Sequence, residues 1–259
     1  MDSSASIIDE PVATGFASRL AVFLYGLAAY AIGVAALVAW IVSMMSLVPF
    51  SGGPIQTKST GGALMINLLL LIAFALQHSV MARKSFKSKW TRIIPKAAER
   101  STYVLATGLV LLPVLGLWQP VPGVIWAVDS AVLRMAVYAL ALAGWAYLFL
   151  ATFAINHFEL FGLRQVYQQL RGKPITSVPF RERWMYRFDR HPIMTGALLG
   201  LWITPIMTLD HLAFSVGFTV YVIIGVYFEE RALLRQWGSV YEAYCRRVGS
   251  IVPSFKRLG

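Results

Sequence analysis

Long runs of apolar residues dominate this chain, and polar residues fall mainly between the runs. The runs are not the single apolar face of a soluble helix, and each approaches the length of about 20 residues that a helix needs to cross a bilayer. The pattern predicts an all-α polytopic membrane protein with about six transmembrane helices. We place these spans at residues 18–48, 61–82, 101–118, 131–155, 192–209 and 212–234.

The last two runs predict a tight helical hairpin, because only Asp210 and His211 separate them. Pro205 lies inside the fifth run and should kink or shorten that span, since proline removes a helix hydrogen bond. We expect one integral membrane domain without internal repeats. Its predicted parts are four N-terminal spans in residues 1–155, a cytosolic connector in 156–191, and a cofactor-binding hairpin with a cytosolic helical tail in 192–259.

Composition agrees with this class. Hydrophobic residues make up 58% of the chain and charged residues 14%, whereas about a quarter of the residues in a soluble domain are charged. The net charge of +11 is better explained by basic cytoplasmic loops than by nucleic acid, so we expect the lipid bilayer and no nucleic acid as a partner. The single cysteine, Cys245, excludes an internal disulfide. Residues 1–11 are acidic and polar, unlike a secretory signal.

Basic residues are distributed unevenly among the predicted loops. Seven lie in residues 83–100, seven in 164–190 and six from Arg231 onward, whereas the alternate loops contain Lys58 alone. Loops rich in lysine and arginine stay on the cytoplasmic side of a membrane. The bias therefore predicts that both termini are cytoplasmic.

Three of the four histidines fall at one predicted depth. His78, His157 and His191 lie near the inner ends of the second, fourth and fifth runs. Each histidine alone is compatible with a structural, hydrogen-bonded role. Charged residues at the same depth favour a polar pocket that opens to the cytosol. These charged residues are Glu159, Arg190, Glu229 and Glu230.

A metal site is the alternative explanation of this cluster, because histidine and glutamate can bind zinc or iron. The chain lacks the close pairs His-x-x-His, His-x-x-x-His and Glu-x-x-His that helical metal sites use. We therefore expect no metal.

A composite signature occupies the last quarter of the chain, and its members are Arg190-His191-Pro192, Gly196, the pair Glu229-Glu230, Leu233, Tyr241, Tyr244 and Pro253. Two adjacent carboxylates at the end of a membrane helix are unfavourable unless they bind something. The signature resembles the isoprenylcysteine carboxyl methyltransferase and phospholipid methyltransferase superfamily, in which this region binds S-adenosylmethionine at the cytosolic face. The resemblance implies a cofactor cleft formed by Arg190, His191, Pro192, Gly196, Glu229, Glu230, Tyr241 and Tyr244.

Residues 77–83 and 156–165 resemble the bacterial methanethiol S-methyltransferase branch, which methylates methanethiol to dimethyl sulfide. This resemblance implies a bacterial inner-membrane location. Two positions depart from the superfamily pattern. Met194 replaces a tyrosine, and Gly225 replaces an arginine that positions the substrate carboxylate in the carboxyl methyltransferases. The lost cation argues against a carboxylate acceptor and favours a small thiol.

Methyl transfer to a thiol needs a base, because the thiolate is the nucleophile and an alkyl thiol is a weak acid. Histidine suits this role at neutral pH. We expect His78 or His157 to be the base, with Glu159 orienting or assisting it. Apolar walls from the second and fourth spans would suit a one-carbon thiol.

Other functions are also compatible with the sequence. The acceptor could be a prenyl thiol, a carboxyl group or a lipid. A similar C-terminal signature also occurs in NADPH-dependent sterol-type reductases, although no dinucleotide glycine motif supports that activity here. A transporter or sensor is a third alternative, but the charges collect at one face rather than along a midplane path.

Overall fold

The computed structural model describes residues 7–9, 15–48, 56–176 and 182–251. Pro253 of the C-terminal signature lies outside these residues. The helices are α1 Phe16–Met44, α2 Thr60–Ala82, α3 Lys84–Trp90, α4 Glu99–Gly116, α5 Ala131–Ile155, α6 His157–Leu160, α7 Leu163–Leu170, α8 Pro192–Trp202, α9 Leu209–Trp237 and α10 Ser239–Arg247. The strands are β1 Ile7–Asp9, β2 Val124–Ala127, β3 Ile175–Thr176 and β4 Ile206–Thr208. The 3₁₀ turns Lys96–Ala98 and Trp184–Arg187 complete the described elements.

Among the described residues, five helical segments are long and apolar enough to cross a membrane. They are α1, α2, the segment Lys96–Gly116, α5 and α9. Large apolar side chains such as Leu68, Leu69 and Leu76 of α2 are exposed, which is the surface that lipid would cover. The predicted class, an all-α polytopic membrane protein, is confirmed.

The fifth predicted span is shorter than expected. Its helix, α8, has 11 residues, which corresponds to about 17 Å of rise, whereas the hydrocarbon core is about 30 Å thick. The chain continues in extended form through β4. Pro205 lies in this extended stretch and has no N–H to donate to a helix, as the sequence predicted.

The hairpin of α8 and α9 is present, but its connection is longer than predicted. Asp210 and His211 are not the turn, because α9 begins at Leu209 and both residues lie in its first turn. Thr208 is the N-cap, and its side chain accepts a hydrogen bond from the His211 backbone N–H at 3.4 Å. A threonine N-cap satisfies one of the N–H groups that the first turn leaves unpaired.

The extended stretch after α8 keeps its backbone groups satisfied, as an apolar environment requires. β4 pairs antiparallel with β2. The Trp126 indole N–H donates to the Thr204 carbonyl at 3.0 Å. The Leu201 carbonyl, near the end of α8, contacts His211 Nε2 at 3.0 Å and accepts from Ser215 Oγ at 3.1 Å. The stretch is therefore an ordered part of the fold.

Contacts divide the chain into two compact units. The first comprises Met1–Trp40, Ile72–Val114 and Ile155–Arg181. The second comprises Ile41–Leu71, Leu115–Ala154 and Glu182–Gly259.

In the first unit, β1 pairs with β3, and a glycine turn brings α6 and α7 to the start of α4. Gly162 has a φ of +86°, and a Cβ there would lie 2.6 Å from the Ser101 backbone nitrogen. Only glycine fits this conformation and this space. The Arg100 Nε also donates to the Leu160 carbonyl at 2.7 Å. These contacts fix the loop that contains His157 next to the helix that begins at Glu99.

Candidate functional site

The residues predicted to form the site fall into both units. His78, His157 and Glu159 belong to the first unit. The predicted cofactor-binding residues, from Arg190 to Tyr244, belong to the second. The shared pocket that we expected from their common depth stays a prediction.

Glu230 is the centre of a hydrogen-bond network in the second unit. Its Oε1 accepts from Arg190 Nε at 3.0 Å and Nη2 at 2.7 Å, and from Ser250 Oγ at 2.8 Å. His191 Nε2 lies 3.1 Å from the same oxygen. The hydrogen bonds that the described residues donate to this side chain all reach Oε1. A carboxylate with this many partners is held in one orientation.

Arg190 also ties the turn before α8 to the C-terminal segment. Its Nη1 donates to the carbonyls of Cys245 and Val248, each at 2.9 Å. The Arg190 backbone N–H donates to the Gly249 carbonyl at 2.9 Å. The Arg190 side chain therefore donates to Glu230 and to main-chain carbonyls, and these bonds close this part of the fold.

The two adjacent glutamates have different surroundings. The Glu229 side chain is 52% exposed, whereas that of Glu230 is 23% exposed. Glu229 Oε2 lies 3.7 Å from His191 Nδ1, beyond hydrogen-bond distance. Glu229 is therefore the more open carboxylate of the pair, and Glu230 the more firmly held one.

Pro192 and the tyrosines of α10 are packed inside the second unit. Pro192 occupies the first turn of α8, where its missing N–H is not needed. Tyr241 and Tyr244 are 1% and 2% exposed, and the Tyr244 hydroxyl donates to the Tyr186 carbonyl at 2.6 Å. Burial raises the pKa of both tyrosines, so their hydroxyls stay protonated at neutral pH. Their contact with a cofactor stays a prediction.

Gly196 is explained by helix packing. A Cβ at this position would lie 2.5 Å from the Leu148 backbone nitrogen and 2.7 Å from the Gly144 carbonyl. A Cβ at Gly200 would lie even closer to the Trp145 ring. These glycines let α8 approach α5 closely, as small residues do in membrane helix pairs. The glycine at 196 is therefore not by itself a sign of a bound ligand.

Asp189 is a polar residue of this region that the sequence analysis missed. It is fully buried, and it accepts from the Tyr147 hydroxyl at 3.1 Å and from the His191 backbone N–H at 2.9 Å. Burial raises the pKa of its carboxyl group, and hydrogen bonds from Thr195, His191 and Tyr147 oppose that shift. Its signal in the sequence was an acid directly before Arg190.

His78 lies in a cluster of hydroxyl groups and rings in the first unit. Its Nε2 is 2.7 Å from the Tyr103 hydroxyl, and its Nδ1 is 3.2 Å from the Thr107 hydroxyl. The ring stacks on Phe74 with centroids 5.4 Å apart. Both ring nitrogens are therefore within hydrogen-bond reach of hydroxyl groups.

His157 is more deeply enclosed. It is 2% exposed, its Nε2 lies 3.0 Å from the Tyr30 hydroxyl, and its ring lies against Phe158 and Phe161. Burial lowers the pKa of this imidazole. Asn156 caps the short helix by accepting from the Glu159 backbone N–H at 3.2 Å.

Glu159 forms an ion pair with Arg164 in the next helix. The Arg164 Nη2 also donates to the Thr176 hydroxyl at 2.8 Å, which links α7 to β3. Glu159 thus helps to fix the loop around His157, and the orienting role predicted for it stays a prediction.

A comparison with known protein sequences finds several methanethiol S-methyltransferases among the relatives of this chain. The chain is 49% identical over 193 residues to a methanethiol S-methyltransferase from Mycobacterium tuberculosis, covering 74% of this chain and 79% of that protein. It is 40% identical over 252 residues to a methanethiol S-methyltransferase from Crocosphaera subtropica, covering 94% and 96%. Nurim from Rattus norvegicus is 30% identical over 192 residues, covering 68% and 73%. No family model and no solved structure matches the chain.

Proposed function

The chain belongs to the methanethiol S-methyltransferase family, and on that premise we propose that it methylates a small thiol with S-adenosylmethionine as donor. Methanethiol is the proposed acceptor and dimethyl sulfide the product. The observation that carries the proposal is the 40% identity over 94% of the chain with the Crocosphaera subtropica protein.

The environment of residue 225 supports a thiol rather than a carboxylate acceptor. Gly225 lies in α9, and a Cβ built on it would meet nothing within 4 Å. A methyl group there would meet open space, and the chain supplies no cation at this position. A carboxylate substrate would need such a partner, whereas a neutral thiol would not.

The second unit offers suitable groups for the proposed donor. S-adenosylmethionine carries a positively charged sulfonium and ribose hydroxyls, and a carboxylate can bind either group. We assign this role to Glu229, the more open carboxylate, with Glu230, Arg190 and His191 holding its surroundings. When bound, S-adenosylmethionine supplies an electrophilic methyl group on a neutral leaving group. Tyr241 and Tyr244 would support the site from within the second unit.

The first unit offers the base. His78 is only partly buried, whereas His157 is enclosed by aromatic rings. We therefore assign the proton acceptor to His78, and we assign His157 and Glu159 to the support of the loop before α7. A positioned base contributes about 10²–10⁴-fold to a proton transfer, so His78→Ala should lower turnover by about that factor while donor binding is retained.

The test is a transfer assay with purified protein and methyl-labelled S-adenosylmethionine. The acceptor panel contains methanethiol, larger alkyl thiols, a prenylcysteine and a phospholipid. Label should appear in dimethyl sulfide, and Glu229→Gln should weaken donor binding measured by calorimetry. Faster methylation of the prenylcysteine or the phospholipid would overturn the acceptor assignment. Binding of NADPH in place of S-adenosylmethionine would overturn the methyltransferase activity.

We also propose that both termini lie in the cytoplasm and that the membrane is the bacterial inner membrane. The pairing of β2 with β4 supports this orientation, because it joins two segments to which the basic residues assign the same, outer side. Reporter fusions at Pro122 and Asp210 should report the outside, and fusions at Lys89 and Lys173 the cytosol. Fusions at Ser51 and Gly259, which lie outside the described residues, should report the outside and the cytosol. A cytosolic signal at Pro122 would refute the topology.

A further inference from the structure

We propose that Tyr103, rather than His78 itself, contacts the acceptor thiol and passes its proton to His78. This inference rests on the proposed function and names a catalytic residue that the sequence motifs do not include. It follows from the hydrogen bonds that occupy the two nitrogens of the His78 ring.

The tautomer of His78 is fixed by Thr107. The Thr107 hydroxyl has one hydrogen, and it donates that hydrogen to the Tyr103 carbonyl at 2.9 Å. At the longer distance of 3.2 Å from His78 Nδ1, the Thr107 oxygen can therefore act as an acceptor. Neutral imidazole carries its proton on one nitrogen and a lone pair on the other. Nδ1 is then the protonated nitrogen, and Nε2 bears the lone pair.

This tautomer gives Tyr103 a defined role. The lone pair of Nε2 accepts the Tyr103 hydroxyl hydrogen across 2.7 Å. A thiol could donate its proton directly to Nε2 only by displacing the Tyr103 hydroxyl. A phenol oxygen that donates one hydrogen bond still has acceptor capacity. The proton of the thiol can therefore travel through Tyr103 without breaking the contact between the two rings.

Arg100 lies over the Tyr103 ring and helps to fix its orientation. Its guanidinium carbon lies 5.2 Å from the centre of the Tyr103 ring, a distance at which a cation and an aromatic face attract each other. Arg100 is held in place by its bond to the Leu160 carbonyl at 2.7 Å.

The S–H proton moves to the Tyr103 oxygen as the Tyr103 proton moves to His78 Nε2. The thiol sulfur uses its released pair to bond the methyl carbon of the sulfonium donor. The bond from that carbon to the donor sulfur breaks, and its electron pair stays on the donor sulfur. The products are two neutral thioethers and a protonated His78, which returns its proton to water.

Tyr30 provides a matched control, because it makes the same kind of contact with the other histidine of the first unit. Tyr103→Phe and Tyr30→Phe each remove one phenol hydroxyl from a histidine partner. Tyr103→Phe should lower turnover of methanethiol about 100-fold, with calorimetric binding of S-adenosylmethionine unchanged. Tyr30→Phe should stay within about threefold of the unaltered protein, since loss of a positioned proton-transfer group is what produces the larger factor.

A second acceptor separates a catalytic from a structural role. Ethanethiol and trifluoroethanethiol have similar shapes, but the fluorinated thiol is the stronger acid and needs less help to lose its proton. The deficit of Tyr103→Phe should therefore shrink to below about tenfold with trifluoroethanethiol. An equal deficit with both thiols, or none with either, would overturn the relay and leave the proposed function intact. If the unaltered protein methylates no thiol, both fail.

Nitrogen NMR of histidine-labelled protein tests the tautomer without turnover. The His78 signals, identified by their loss in His78→Gln, should show a proton on Nδ1 and a lone pair on Nε2. Tyr103→Phe should shift the Nε2 signal and leave the His157 signals in place. A proton on Nε2 in the unaltered protein would refute the relay.

Discussion

The histidines of the two units are held by different kinds of partner. His191, in the second unit, lies 3.1 Å from a Glu230 oxygen that also accepts from Arg190. In the first unit, His78 and His157 each lie within 3.0 Å of a tyrosine hydroxyl. Charged groups away from water need several partners to offset lost hydration, whereas neutral pairs need few.

This difference suggests a division of roles. The most recognisable motif of the chain is Arg190-His191-Pro192 together with the glutamate pair. Its contacts mainly close the fold around the C-terminal segment. That leaves Glu229 as its open group. The hydroxyl–imidazole pairs are less conspicuous in sequence, yet an O–H donor next to a nitrogen lone pair is an arrangement in which a proton can move.

The largest stability change should come from Glu230→Ala. It removes the shared acceptor and leaves the Arg190 guanidinium, which is 10% exposed, without its anion. Breaking a buried ion pair in this way is destabilising by about 3 kcal/mol. Thermal unfolding in detergent should show a large drop for Glu230→Ala and a small one for Glu229→Ala. Equal drops would remove the distinction between the two carboxylates.

Gly196→Ala should have the next largest effect and tests whether packing explains this residue. The new methyl group would meet the main chain of α5, so we expect a loss of about 1–3 kcal/mol from overpacking. Gly225→Ala is the matched control, because it adds the same methyl group in α9 where nothing lies within 4 Å. It should be neutral or stabilising, since alanine favours helix over glycine. A neutral Gly196→Ala would mean that the close packing of α8 on α5 does not require glycine at this position.

The sequence predicted the class and five of the long helices, because apolar runs of this length have few other solutions. It placed a turn at Asp210 and His211, although Pro205 was a local signal for an earlier end of α8 and Thr208 a local signal for the start of α9. Periodicity did not show that the extended stretch could be stabilised, since its strand partner β2 lies about 80 residues earlier in the chain.

The sequence named candidate site residues, but it could not show which partners their side chains contact. Glu229 and Glu230 are adjacent, and only a rotation of about 100° along the helix separates their directions. Which of them meets Arg190 depends on tertiary packing. Asp189 and Tyr103 carried no motif, and their partners Tyr147 and His78 are 42 and 25 residues away in sequence. Such pairs become visible only once the helices are placed.

His211 has a third kind of histidine environment, because its partner is a main-chain carbonyl. Its Nε2 contacts the Leu201 carbonyl at the end of α8, and Ser215 donates to the same oxygen. His211→Ala should destabilise the protein by about 1–2 kcal/mol, the value of a lost hydrogen bond to a buried group. Ser215→Ala should cost about 1 kcal/mol or less. Turnover measured well below the unfolding midpoint should be unchanged in both, and a loss of turnover would contradict a purely structural role.

The smallest expected effect concerns the pH dependence contributed by His157. Burial lowers the pKa of this imidazole in the folded protein, while the unfolded value is about 6.5. Its contribution to stability is therefore present above about pH 6.5 and is lost as the pH falls through the lower, folded pKa, because the unfolded chain binds the proton more readily. His157→Phe keeps an aromatic ring next to Phe161 but cannot titrate. Unfolding midpoints measured from neutral to mildly acidic pH should fall less steeply for this variant than for the unaltered protein. The carboxylates titrate in both proteins, so the difference between the two slopes isolates His157. Parallel slopes would mean that His157 is protonated as easily in the folded state as in the unfolded chain, and the neutral Tyr30–His157 pair would no longer stand apart from the charged network around Glu230.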